Sequence, residues 1–130
     1  MKRENVIPLN ESTELFQRYT IRKMLAAGGF GITYLAEDSM GSRYVIKEHY
    51  PAWYVTRNKS GQVIPLEKYR NEYKWSMGLF LKEASQLSVL NHPHIVHLVD
   101  AFEENGTAYY AMPYLNGGDL AQVIRCMKTE

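Results

Sequence analysis

Lys47 closes the run Tyr44-Val45-Ile46-Lys47, where an ammonium group carried into an apolar setting needs a carboxylate, a phosphate or both. Upstream, Leu25-Ala26-Ala27-Gly28-Gly29-Phe30-Gly31 places Gly28, Gly29 and Gly31 in one short turn. Backbone without a Cβ can turn sharply and bring its N–H groups against a polyphosphate. Such turns also close ordinary hairpins, so what accompanies this one decides its meaning. Glu83 follows Phe80 by one turn and precedes Ala84, at the edge of a helix face built from Phe80, Ala84 and Leu87. It is the best partner for Lys47, with Lys82 or solvent as the alternative for its carboxylate. Together these features can grip a polyphosphate through backbone amides and one lysine steadied by one glutamate.

The rest of the chain must position these groups. From Tyr19, residues alternate, with Tyr19, Ile21, Lys23 and Leu25 on one face and Thr20, Arg22 and Met24 on the other. This pattern predicts a strand ending at Gly28-Gly29. Residues 31–37 predict a second strand, Asp38-Ser39-Met40-Gly41-Ser42 a turn, and residues 43–48 a third strand centred on Val45 and Ile46. Short turns between them imply an antiparallel meander. In the irregular stretch 51–66, Asn58-Lys59-Ser60-Gly61 between Val55 and Val63-Ile64 signals an accessory hairpin. The spacing of Phe80, Ala84 and Leu87 predicts a helix over about 69–90, stopped at Asn91-His92-Pro93, with Gly78 as a kink or the true start. Residues 95–102 and 107–113 flank Asn105-Gly106, a strong hairpin signal, and bring the sheet to five strands. Asp119 can cap a short terminal helix from Leu120. Residues 1–17 look like a loosely held leader that needs no core, although Leu9, Leu15 and Phe16 can pack locally.

The chain's 130 residues, 45% of them hydrophobic, suffice for one core and hardly for two domains. Fifteen Lys+Arg against fourteen Asp+Glu leave a net charge of +1, which offers no basic field to nucleic acid or an anionic membrane. The single cysteine, Cys126, excludes an internal disulfide and a Cys-based zinc cluster, and as a lone residue in a terminal helix it is expected to be inert. No apolar run reaches signal or membrane-spanning length, and a cytoplasmic location is expected. His92, His94 and His97 are splayed by Pro93, so capping or packing is expected of them rather than metal binding. Tyr69, Tyr73 and Trp75 are expected to pack around the stretch at about 51–75 rather than to form a base-stacking platform, since no basic patch accompanies them, and Arg57 and Lys59 to solvate its tip.

In this order, residues 19–130 resemble the N-terminal lobe of a Hanks-type bacterial Ser/Thr protein kinase. Leu25 through Thr33 is similar to the glycine-rich loop over ATP, Tyr44-Val45-Ile46-Lys47 to the Val-Ala-Ile-Lys strand, and Phe80-Leu81-Lys82-Glu83-Ala84 to the helix with the paired glutamate. His92-Pro93-His94-Ile95-Val96 resembles the loop after that helix. The resemblance implies an α+β fold: a five-stranded antiparallel sheet with one long regulatory helix and a short terminal helix. It implies a leader at 1–18, a lobe at 19–115 with an insertion at about 51–75, and at 116–130 the hinge exit and first C-lobe helix. Lys47 would hold the α- and β-phosphates and Glu83 would fix Lys47, the two catalytic candidates. Ala26, Ala27, Gly28, Gly29 and Gly31 would line the phosphates with Phe30 as a lid, and Leu25, Thr33 and Val45 would sandwich the adenine. Met112 falls at the gatekeeper position. Pro113 and Leu115 would offer a carbonyl and an N–H to the base, and Asp119 could reach the ribose.

The sequence departs from the family pattern at several points. Ala26 replaces the usual first glycine, Thr33 a valine, Val45 an alanine and Pro113 the hinge glutamate, and the separation of Lys47 from Glu83 is unusually long. No His-Arg-Asp loop and no Asp-Phe-Gly metal site occurs, so Mg²⁺ would be held by C-lobe residues absent from the chain. The parent would transfer the γ-phosphoryl of MgATP to protein hydroxyls, with its protein substrate met through the missing lobe. The chain alone is expected to be inactive. The alternative is a natural pseudokinase lobe acting as an interaction module or nucleotide sensor. An isolated lobe is also expected to expose an apolar cleft face around Val45, Leu87, Leu98 and Met112 and to self-associate through it.

Overall fold

The computed structural model describes residues 6–89 and 98–114. Strand β1 (Glu14–Leu15) leads into β2 (Tyr19–Ala27), β3 (Gly31–Glu37) and β4 (Arg43–His49). A small hairpin of β5 (Val55–Arg57) and β6 (Val63–Pro65) follows. A 3₁₀ turn (Glu67–Tyr69) opens α1 (Arg70–Val89), and β7 (Asp100–Glu104) and β8 (Thr107–Pro113) complete the described chain. The main sheet has the order β1-β2-β3-β4-β8-β7, and β5 and β6 pair only with each other. Five antiparallel strands are present as expected, although the one expected at 95–102 runs from Asp100 to Glu104, with 98 and 99 outside it, and β1 adds a sixth at the edge. Gly78 lies inside α1 and does not begin it. The expected terminal helix, the three histidines at 92, 94 and 97, and Cys126 lie outside the described residues.

Turn chemistry closes the hairpins as their residue types demand. Asp38 accepts from the Met40 and Ser42 N–H groups at 3.0 and 2.9 Å, and Asn58 from those of Ser60 and Gln62 at 3.1 and 2.9 Å. Asn105 and Gly106 both take positive φ, 55° and 73°, the conformation a two-residue hairpin turn requires. A Cβ on Gly106 would sit 2.8 Å from the Val63 carbonyl oxygen, because β6 crosses closely over this turn. Gly106→Ala is therefore expected to destabilise the chain by about 2–3 kcal/mol, a left-handed penalty plus a backbone clash. Urea denaturation of the two proteins checks this.

Each face of the sheet carries its own cluster. Ile21, Ile32, Tyr34, Ile46, Tyr109 and Ala111 form the first, which β5, β6 and the leader cover through Val55, Val63, Leu9 and Leu15. Val45, Tyr110 and Met112 form the second, on which α1 lays Phe80 and Ala84. From residue 6 onward the leader is therefore not loose: Leu9 is 7% and Leu15 0% exposed, and the Leu9 N–H donates to the Tyr34 hydroxyl at 3.0 Å. Isolated apolar residues carry no periodicity, so only the surface waiting to receive them reveals this packing.

The alternation expected of β2 also fails. Two register shifts, between Ile21 and Lys23 and between Met24 and Ala26, change which face the strand presents. Tyr19 and Ile21 join the first cluster, whereas Leu25, the extra residue of the second bulge, packs against the second.

Arg57 is the largest correction. Its side chain is 3% exposed and grips the fully buried Glu48 at both oxygens, Nη2 to Oε1 at 2.6 Å and Nη1 to Oε2 at 3.0 Å. Two further N–H groups donate to the Ile7 and Gly61 carbonyls at 2.7 and 2.9 Å. The Tyr34 and Tyr109 hydroxyls donate to the same carboxylate at 2.7 and 2.6 Å. Burial, reinforced by the Glu48 charge, pushes both phenols well above their ordinary range. Burial alone would pull the Arg57 guanidinium down, but hydrogen bonds and charge from Glu48 hold it above its usual value. Trp75, expected to pack, is 65% exposed on the outer side of α1, while Tyr69 and Tyr73 do pack, against Tyr54 and His49.

Candidate functional site

Lys47 sits on β4 between Thr33 of β3 and Tyr110 of β8 in the register, on the face that α1 covers. Every inward position of α1 follows the helical spacing: Tyr73, Ser76 and Phe80 are buried, then Glu83 and Ala84. This brings the Lys47 Nζ to 3.5 Å from Glu83 Oε1, with side-chain exposures of 14% and 10%. The expected ion pair is therefore made, in a setting that screens it weakly. Tyr110 lies beside it, its ring centroid 6.0 Å from the ammonium nitrogen.

The glycine loop caps this pair. The Gly28 N–H donates to the Gly31 carbonyl at 2.8 Å, closing the turn between β2 and β3. A Cβ added at Gly28 or Gly29 would meet nothing within 4 Å, so open space adjoins both. At Gly31 it would press on the Glu48 carbonyl and on the Lys47 Cε, each at 3.1 Å, so the glycine there leaves room for the lysine stem. Phe30 is 56% exposed at the tip. Ala26 pairs with Thr33 in register, but Ala27 packs against the opposite cluster, so its side chain belongs to the other face.

Leu25, Val45 and Met112 gather in one cluster with Phe80, Leu87 and Leu98, and Val45 lies directly across from Met112. Val45 and Met112 are 0% and 3% exposed, which corrects the expectation of an open apolar cleft around them. Leu87 and Leu98 are only half-buried. Pro113 ends β8, and the Tyr114 N–H donates to the Arg43 carbonyl at 2.9 Å. Leu115 and Asp119 lie outside the described residues. Among the described residues there is no group of three or more His, Cys, Asp or Glu side chains that could hold a metal ion.

Sequence reasoning passed over His49, which ties β4 to α1. Its Nε2 is 2.7 Å from the Ser76 hydroxyl and its Nδ1 3.1 Å from that of Thr107. The Thr107 hydroxyl donates its one hydrogen to the His49 carbonyl at 2.6 Å, so Nδ1 must carry the ring proton and Nε2 accepts from Ser76. Burial first, then the nearby Lys47 charge, pulls the imidazole down to about 4. Its place one alternation beyond Lys47, on the same face, was the available signal.

A family profile described as protein tyrosine and serine/threonine kinase matches residues 19–130. The chain belongs to the protein kinase family. Among curated kinases it is 30% identical to the probable serine/threonine-protein kinase YbdM of Bacillus subtilis, over 90% of this chain and 40% of that protein. It is 32% identical to the serine/threonine-protein kinase PknD of Protochlamydia amoebophila, over 93% of this chain and 11% of that protein. Among solved kinase structures, the apo form of PpkA-294 superposes with a TM-score of 0.78 at 30% identity, covering 87% of this chain and 40% of that one. The kinase domain of Mycobacterium tuberculosis PknI gives a TM-score of 0.54 at 25% identity, over 85% and 38% of the two chains. The chain thus spans well under half of these kinases, and what it shares with them is the N-lobe: the antiparallel sheet with its one long helix.

Proposed function

We propose that the chain binds the triphosphate of ATP between its glycine loop and Lys47, as the nucleotide-binding lobe of a Ser/Thr protein kinase. The observation that carries this reading is the largely buried Lys47–Glu83 pair, 3.5 Å apart, beneath a loop whose Gly28 and Gly29 adjoin open space. Glu83 holds the lysine ammonium in place, so that it meets the α- and β-phosphate oxygens without first being ordered. The glycine N–H groups supply donors that follow the phosphate chain. The half-buried Leu25, backed by the buried Val45 and Met112, offers the adenine an apolar edge, and the Pro113 carbonyl accepts from its amino group. A proline there loses nothing, since the base needs only its carbonyl.

Mg²⁺ accompanying the nucleotide would neutralise phosphate charge, and its protein ligands would come from outside these residues. The parent kinase passes the γ-phosphoryl to protein hydroxyls. By itself the 130-residue chain has neither the His-Arg-Asp nor the Asp-Phe-Gly motif, so it binds nucleotide without transferring it. Titration with a fluorescent ATP analogue tests the reading. Lys47→Met is expected to weaken binding about 10- to 100-fold, the worth of charge-assisted hydrogen bonds to phosphate, and Glu83→Gln by a smaller factor. A wild-type chain that fails to bind at millimolar nucleotide overturns it.

A further inference from the structure

The glycine loop is held from outside by the segment that follows β4. The Tyr50 N–H donates to the Phe30 carbonyl at 3.0 Å, and the Ala52 N–H to the Gly29 carbonyl at 3.3 Å. In a trans peptide the C=O and the next N–H point in opposite directions, and the described chain has no cis bond. Anchoring these two carbonyls on residues 50 and 52 therefore turns the Phe30 and Gly31 N–H groups away from the segment, to the inner side of the turn. Side chains extend the contact: the Phe30 ring meets Tyr54 edge-on at 6.5 Å, and Tyr54 meets Tyr69 at 5.0 Å. The Leu66 N–H donates to the Tyr54 carbonyl at 2.7 Å, and Tyr69 ends the 3₁₀ turn from which α1 starts. One stretch, 50–69, thus touches the loop at one end and launches the helix bearing Glu83 at the other. Arg57, locked on Glu48, pins its middle to the strand that carries Lys47.

We propose that residues 50–69 form a brace that presets the glycine loop for a nucleotide's phosphates, with Tyr54 as its positioning residue. The proposal deepens the nucleotide reading above and rests on it. A free glycine-rich loop loses conformational freedom when it closes on phosphate, whereas a braced one has lost it already, so the brace raises affinity for the triphosphate in particular. Adenosine, which has no phosphate to reach the loop, gains nothing from it.

The test compares ATP with adenosine on the 130-residue chain and its Tyr54→Ala and Tyr54→Phe variants, together with amide hydrogen exchange at Tyr50 and Ala52. Tyr54→Ala is expected to weaken ATP about 5- to 10-fold, leave adenosine within about twofold, and speed exchange at both amides. Tyr54→Phe keeps the ring and should restore wild-type behaviour. Equal losses for ATP and adenosine would reduce Tyr54 to a packing residue and overturn the brace, as would unchanged ATP affinity in Tyr54→Ala. A wild-type chain that binds neither ligand sinks the nucleotide reading itself, and the proposed purpose of the brace with it.

Discussion

Arg57→Ala is expected to cost about 3–5 kcal/mol of folding stability, a large share of the roughly 5–15 kcal/mol typical of a domain. The loss comes less from the missing attraction than from what stays behind. Glu48 is 0% exposed and would keep a charge with only two tyrosine hydroxyls to solvate it. The Ile7 and Gly61 carbonyls would also lose their donor, so leader and hairpin would loosen together. The double variant Glu48→Gln with Arg57→Met removes both charges while leaving an oxygen for the tyrosines, and it should recover at least half of the loss. Urea unfolding of the three proteins measures this. A cost below about 1 kcal/mol for Arg57→Ala would mean that water reaches the pair.

Acidification should destabilise the chain through His49. Unfolded, the imidazole takes up its proton near 6.5; folded, only near 4. Between those values the unfolded chain binds more protons, so stability rises with pH in this window, is complete above it and is lost as pH falls through it. The full effect is about 3 kcal/mol. Carboxylates titrate over part of the same range, so the readout is the difference between wild type and His49→Gln, which should shift against the wild type by that amount between pH 7 and pH 4. Parallel curves would show that the ring is not buried neutral. Because His49 joins β4 to α1 through Ser76, the same acid step should loosen the helix that presents Glu83 to Lys47.

The Lys47–Glu83 pair was readable because each residue advertises itself locally: a lysine in a β-branched run, and a glutamate one step from the apolar stripe of a helix. Alternation sets Leu25 on the face of Tyr19 and Ile21, but the bulges of β2 change its phase, and Leu25 packs with Val45 and Met112 instead. Glu48 and Arg57 gave no such sign. A strand with both faces buried does not say which polar side chain has a partner, and Arg57, beside an Asn-Lys-Ser-Gly turn, has the company of a solvated residue.

Motif resemblance pointed to the family, and local chemistry determined the five strands, the long helix and the turns at 38–42, 58–61 and 105–106. Each depends on side-chain period or on backbone freedom within a few residues, and both are written in sequence order. Only the tertiary structure decided that the leader and the hairpin close over the far face of the sheet. That burial needs Ile7, Glu48, Arg57 and Tyr109 to meet across separations of up to 61 residues, and it is settled by desolvation at the meeting point. The same meeting holds the 50–69 segment against the glycine loop, so the arrangement of the loop depends on contacts that no local pattern encodes.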